Sequence, residues 1–520
     1  MLILANKQNV VLGVIVVLIA ALVIPSPWRL PAATNDEMLH LKSWRNRYGT
    51  NDVFPIGRRK IEKATNIPEG IKQIALKIYD SSPLGQRLFI VLQDCHPSIW
   101  PITAEIVASI TNSSLIAIRL ISTAAFAVAL FLVFRIGEHL ADRTVGILLA
   151  AFWAMSHLAL EYAGLARMYA CALAALLFFF YVYHKRDPQN DKDFAAISLW
   201  ALLPVSLEWF TWPAVYTLLA VAIWRRAPTI NGISDLWKRY KYLIPFVVVC
   251  TVWMAYYVVL AKLHPSRSPE WSAEKGPHPA YEHFMDFFGR VGIASFLLPT
   301  AKMSCEAIAF VNLLVLAVGL AVFAARPRLP MYLRTAVVFL AVAGLVLPNV
   351  IRMLARHYLL TLAVPITMSY FALALLIPPR IRLVISVILL ACGLTIASTQ
   401  QKFLGKDNPA YEFPDIARVV KDVLGDDQYW IASPYQIAMC IYRYEHLPEP
   451  QLPSSKRELT DTLDQMPCDR DVIVLCHRWT PSGLDESHRR LFEQGVMLHE
   501  FESGIAIFKI RKVCHQEYRD

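Results

Sequence analysis

The chain has 520 residues, of which 56% are hydrophobic and only 18% charged, and its mean hydropathy is +0.41. Soluble domains carry about 25% charged residues, so this composition excludes disorder, a coiled coil and a small disulfide scaffold, and it points to a polytopic α-helical membrane protein. The net charge of +10 fits basic loops facing anionic lipid rather than nucleic-acid binding.

A membrane-crossing helix needs about 20 mostly apolar residues. About eleven stretches qualify, starting near residues 8, 113, 144, 166, 194, 211, 242, 306, 335, 357 and 382. The first, VVLGVIVVLIAALVI, is followed by PSPWRLP rather than by a small-residue cleavage site, so it reads as an anchor. Lys and Arg orient the rest. With the N-terminus inside, the cytoplasmic loops hold Arg135 and Arg143; Lys185, Arg186 and Lys192; Arg225, Arg226, Lys238, Arg239 and Lys241; Arg326, Arg328 and Arg334; and Arg380 and Arg382. The opposite short loops hold little beyond Arg167, Arg352 and Arg356. The C-terminal tail then falls outside.

Two domains follow: a membrane domain over residues 1–398, with a long external first loop at 26–112, and a tail at 399–520. The loop is too long for a simple connector. Its stretch NIPEGIKQIALKIYD (66–80) has the pattern of an amphipathic helix lying on the membrane. The tail mixes apolar and polar residues as a small soluble α/β domain does. EFPDIARVVKDVL and SHRRLFEQG read as helices, DVIVLC and GIAIFKI as strands. Its cysteines, Cys440, Cys468, Cys476 and Cys514, fit either two disulfides in an oxidising compartment or four separate buried thiols.

Charged residues at a membrane boundary are costly, so their positions carry information. Asp36 and Glu37, with His40 behind them, form a carboxylate pair just past the first span. Such a pair suits a general base or a cation, and equally the N-cap of the helix that follows. Asp94 and His96 sit together in QDCHPSIW (93–100). There the His-Pro step also reads as a helix start, and the imidazole as a phosphate ligand or proton carrier. EYAGLARMY (161–169) puts Arg167 and Tyr169 in an outer turn. An arginine there cannot lose its charge and must find an anion, either Glu161 or a ligand phosphate. Arg352, Arg356, His357 and Tyr358 form a second cationic turn, suited to a lipid phosphate or to snorkelling. All four clusters share one side of the membrane. Acids from the first loop and cations from later turns suit a substrate made of a sugar, a phosphate and an apolar tail.

These segments together resemble the bacterial GT-C glycosyltransferases of the protein-mannosyltransferase and aminoarabinose-transferase type. NDE (35–37) resembles the acidic motif of their first loop, and QDCHPSIW their D-x-H-P-P-L-Y segment, with Ser98 and Trp100 as departures. IRLIS (118–122), EYAGLARMYACAL (161–173) and ARHYLLTLAVP (355–365) are similar to three further family runs, so the likeness covers about residues 10–375. The resemblance implies a GT-C fold and residence in a bacterial inner membrane, with the tail periplasmic. It implies inverting, single-displacement transfer from a polyprenyl-phosphate sugar to a glycan, lipid or protein acceptor. Asp36 falls on the catalytic acid, with Glu37 beside it, and Asp94 on the second acidic position. Arg167 and Arg356 fall near the donor phosphate, with Arg352, His96 and Tyr169 in the same clusters. Glu208 stands where many members have a histidine. Some members use a divalent cation and others do not; this sequence requires none. Three other readings compete: a lipid or glycan transporter, an O-antigen ligase or polymerase, and a non-catalytic assembly subunit. No convincing two-fold repeat supports the first, and Asp36-Glu37 with the Arg-Met-Tyr turn weighs against the second.

Overall fold

The computed structural model describes residues 2–25, 69–70, 73, 76–77, 99–111, 115–226, 240–263, 279–291, 305–346, 355–399, 413–424, 429–432, 451, 456–468, 470–477, 480–501 and 504–512. They form two compact units, divided at about residue 400.

Apolar runs become helices wherever the backbone must satisfy itself internally. In chain order the first unit holds α1 (Leu2–Val23), α2 (Ile99–Ile110), α3 (Leu115–Leu140), α4 (Arg143–Ala154), α5 (His157–Ala163), α6 (Tyr169–Lys185), α7 (Asp191–Trp200) and α8 (Leu202–Val205). It continues with α9 (Trp212–Arg226), α10 (Ile244–Leu263), α11 (Pro279–Arg290), α12 (Cys305–Ala324), α13 (Met331–Val346), α14 (Ala355–Thr361), α15 (Ala363–Leu376) and α16 (Pro379–Thr399). Within the expected amphipathic stretch 66–80, the described residues are helical, and Gln73 donates to Glu69 one turn back at 3.1 Å.

Each of the expected apolar stretches meets a helix, but several are broken. Among the described residues, two helices are long and apolar enough to cross a membrane, over Ile116–Leu140 and Glu306–Ala324. Val10–Val23, Arg143–Ala154, Tyr169–Lys185, Lys241–Ala255, Met331–Val346 and Ala363–Leu376 are shorter apolar helices. The breaks have local causes. Ser156 caps α5, its hydroxyl accepting from Ala159 N at 3.3 Å, and so separates α5 from α4. A single turn residue separates α7 from α8, at Ala201, and α14 from α15, at Leu362.

Small residues let the helices approach. Where α3 crosses α4, a Cβ on Gly137 would stand 2.7 Å from Gly146 Cα, and one on Gly146 would collide with the Phe134 carbonyl. Where α12 crosses α15, a Cβ on Gly319 would collide with the Ser369 hydroxyl. One end of this unit gathers the basic turns. Arg382, 4% exposed, bonds Asp142 at 2.7 Å, Thr144 Oγ1 at 3.1 Å and the Ile377 carbonyl at 2.8 Å. Asp142 also caps α4 through Thr144 N and Val145 N. Burial opposes its charge, but the Thr144 hydroxyl, the Val145 N–H and Arg382 hold its carboxyl below the ordinary value.

The second unit holds α17 (Phe413–Val423), β1 (Trp430–Ala432), α18 (Lys456–Asp464), β2 (Asp471–His477), α19 (Glu486–Gln494), β3 (Val496–Glu500) and β4 (Ile505–Arg511). The sheet order is β1-β2-β4-β3. β1 runs parallel to β2, while β4 pairs antiparallel with both β2 and β3. Val472, Val474 and Cys476 alternate onto one face of β2 and join Leu463, Phe492 and Phe508 in the core. Gly504 takes φ 76° in the β3–β4 turn, where a side chain would be strained. Of the four tail cysteines, Cys476 is a free, buried thiol, and burial pushes it up to about 12. Cys468 is disulfide-bonded, and Cys440 and Cys514 lie outside the described residues. The free Cys476 corrects both readings of the tail: two disulfides among these four do not form, and neither do four separate thiols.

Candidate functional site

The site is built around a break in helix. α5 stops at Gly164, whose N–H bonds back to the Leu160 and Glu161 carbonyls, and the chain bends through 165–168 before α6 begins. Non-helical backbone at buried depth needs outside partners. α3 supplies them: Ser122 Oγ donates to the Arg167 carbonyl at 3.0 Å, and Thr123 Oγ1 donates to the Ala163 carbonyl at 2.8 Å. These hydroxyls fix the bend from which the Arg167 side chain springs.

Arg167 is 2% exposed, with its guanidinium carbon 5.8 Å from the centroid of the Tyr169 ring. A buried guanidinium stays charged and so demands anions or dipoles around it. The Glu161 carboxylate accepts from Arg290, at the end of α11, at 2.8 Å. Aromatic contacts link the elements. The Tyr169 ring meets Tyr162 at 5.0 Å and His357 at 6.5 Å. His357, in the first turn of α14, lies flat on Phe210 at 3.6 Å and 7°. Phe210 belongs to the short 3-10 turn Trp209–Thr211. Thr361 Oγ1 ties the two strands of chain together, 3.0 Å from the His357 carbonyl and 3.3 Å from that of Phe210.

Glu208 is fully buried, and its carboxylate caps that 3-10 turn by accepting from Trp209 N at 3.1 Å. Tyr358 is fully buried between Phe287 and Phe284 of α11, at 5.4 and 5.8 Å. Sequences 161–169, 208–211, 284–290 and 357–361 thus converge at the start of α6, at the opposite end of that helix from its basic turn. Such an arrangement can hold an oxyanion: a permanent cation, an imidazole and a phenol on a rigid aromatic frame.

The structure brings together Arg167, Tyr169 and His357, with Glu208 two residues from Phe210. Tyr358 is packed into the α11 contact. Arg356 lies in the helical backbone at the start of α14. Asp36, Glu37, His40, Asp94, His96 and Arg352 lie outside the described residues. Among the described residues no group of three His, Cys, Asp or Glu side chains is placed to hold a metal. Sequence reading passed over Arg290, Phe210, Ser122 and Thr123. Ser122 and Thr123 follow closely on Arg119, in a run read only as a motif, and their polarity inside an apolar helix was the available signal.

No protein-family model matches the chain. No curated protein matches it. Among solved structures it is similar to an oligosaccharyltransferase from Archaeoglobus fulgidus, described as a complex with zinc and sulfate. That match has 14% identity and a TM-score of 0.38, covering 74% of this chain and 59% of that one. It is also similar to the arabinofuranosyltransferase AftD from Mycobacteria, at 14% identity and TM-score 0.43, over 82% of this chain and 36% of that one. A third is ArnT from Cupriavidus metallidurans in the apo state, at 10% identity and TM-score 0.33, over 80% of this chain and 87% of that one. The chain therefore spans 59% of the length of the first and about a third of the second.

Proposed function

We propose that this protein is a GT-C-type membrane glycosyltransferase that takes its sugar from a polyprenyl-phosphate donor. The acceptor is a hydroxyl or phosphate of a cell-envelope glycan, lipid or protein. The observation that carries this reading is the buried Arg167, set in a bend and joined through Tyr169 to His357. A permanent cation at such a break suits a phosphate group. In this reading about eleven helices span the membrane, the basic turns face the cytoplasm and the tail lies outside. The disulfide-bonded Cys468 supports an oxidising compartment for the tail.

The chemistry is a single displacement. Asp36 takes the proton of the acceptor hydroxyl as its oxygen attacks the anomeric carbon. The bond from that carbon to the phosphate oxygen breaks, and the phosphate leaves with the electron pair. Glu37 and Asp94 complete the acidic side. Arg167 and Arg356, together with Arg352, His96 and Tyr169, hold the growing negative charge. A well-placed base contributes about 100- to 10,000-fold.

The test is mass spectrometry of lipids co-purifying with wild type and with Asp36→Asn. We expect a polyprenyl phosphate in both and a sugar-bearing form enriched in the variant, with turnover lost. Full turnover in Asp36→Asn would remove the base, and bulk phospholipid alone in both samples would count against the donor.

A further inference from the structure

At the end of the first unit away from Arg167, the last turn of α9 meets the first turn of α13, and the turn that follows α6 faces it. Tyr183, near the end of α6, lies about 21 Å along that helix from Tyr169, at 1.5 Å per residue. It is fully buried, and its hydroxyl has no hydrogen-bond partner among the described residues. Arg225 of α9 lays its guanidinium carbon 3.8 Å from the ring centroid of Tyr332 in α13. Its Nη2 faces Asp187 at 3.5 Å, a long and half-exposed contact. Its Nη1 is buried and, among the described residues, also without a partner. Asp187 follows Tyr183 by four residues, so its contact with Arg225 sets the end of α6 beside the Arg225–Tyr332 pair.

The adjacent Arg226 shows a satisfied guanidinium in the same turn. Its Nη1 donates to the Pro188 carbonyl at 2.8 Å and the Gln189 carbonyl at 3.2 Å, its Nη2 pairs with Asp191, and its plane covers Phe194. Arg225 has the same opportunity and leaves a donor unused. Buried donors without acceptors are rare, because the water they lose is not replaced. Here two occur at the same end of the unit, a phenol O–H and a guanidinium N–H, and both call for an acceptor. The guanidinium is already flat on an aromatic ring, so an incoming oxyanion costs it little further freedom. Arg326 and Arg328, in the turn leading into α13, add positive potential.

We propose that Tyr183, Arg225 and Tyr332 form a second anion site, which takes a phosphate group from a lipid headgroup or from free phosphate. It is independent of the glycosyl-transfer reading and at the other end of the helices from the residues that reading uses.

The test uses purified full-length protein in detergent stripped of phosphate and phospholipid. Thermal unfolding is followed with inorganic phosphate, with phosphatidylglycerol, and with diacylglycerol, which has the tails but no phosphate. We expect at least about a 2 °C rise with a phosphate-bearing probe and none with diacylglycerol. Tyr183→Phe and Arg225→Gln should each lose at least half of that rise. A rise with inorganic phosphate identifies a soluble ligand, and one confined to phosphatidylglycerol identifies a headgroup. Tyr183→Phe removes an oxygen that bonds to no described residue, so it keeps the fold and decides the matter alone if Arg225→Gln does not fold. No rise with either probe, or an equal rise in wild type and Tyr183→Phe, would overturn the site.

Discussion

The hydroxyls of Ser122 and Thr123 reach from α3 to two carbonyls in the bend that carries Arg167. Removing either leaves a buried carbonyl short of a donor, at a cost of about 1 kcal/mol. Ser122→Ala and Thr123→Val should therefore lower the melting temperature modestly. If Arg167 binds donor, the same variants should raise the donor KM more than they lower kcat, and Thr123→Ser should restore it. An unchanged KM beside a raised KM in Arg167→Ala would confine the hydroxyls to stability. In the second unit, Asp485 caps α19. The His488 backbone N–H at 3.0 Å, the His488 ring at 2.6 Å and the Ser487 hydroxyl at 2.8 Å hold its carboxyl down to about 2, against 3.8 ordinarily. A folded value below the unfolded one gives stability that is fully present above the ordinary value. It is lost as pH falls through the folded value. Hydrogen exchange in β2 and β4, corrected for intrinsic rates, should speed up between about pH 4 and 2 in wild type. Asp485→Asn should flatten that dependence.

Elements pack here by shape more than by polarity. The α3–α4 crossing depends on Gly137 and Gly146, so Gly146→Ala must push the helices apart. Overpacking of this kind costs about 1–3 kcal/mol, and a matching fall in melting temperature is expected. Substitution at Gly13, which has open space around its Cβ position, should be close to neutral by comparison. The helices themselves were legible, because long apolar runs leave the backbone little alternative. Their interruptions were harder. Ser156 was one polar residue in an apolar run, and nothing local distinguishes a cap there from a hydroxyl folded onto its own helix. In the tail, the alternating β2 and the apolar β4 were read correctly. β3 is exposed along its whole length, so it has no buried face to impose a pattern. Arg167, Tyr169 and His357 were legible as candidates because each is polar where polarity is costly. Arg290 and Phe210 were not, since their meaning comes from partners more than a hundred residues away in the chain.

Across the whole molecule, the basic turns interlock: Arg382 with Asp142, Arg226 with Asp191, Arg225 with Tyr332. Arg167, His357 and Arg290 stand at the start of α6 or beside it. The charge pattern read from sequence assigns the two sets to opposite faces of a membrane. In intact cells a membrane-impermeant maleimide should therefore label Ser487→Cys in the tail. It should label Gln189→Cys, in the basic turns, only after permeabilisation. Equal labelling of both before permeabilisation would sink the proposed orientation.

Trp209 and Trp212 lie 4.7 Å apart, flanking the phenylalanine that stacks on His357. Two indoles this close share excitation, and their emission responds to the field of any nearby charge. The protein thus carries its own optical reporter one ring away from the candidate site. Subtracting the spectrum of Trp209→Phe would isolate that signal from the rest of the thirteen tryptophans. Arrival and departure of an anionic ligand could then be timed in a stopped-flow instrument, with no label on the ligand.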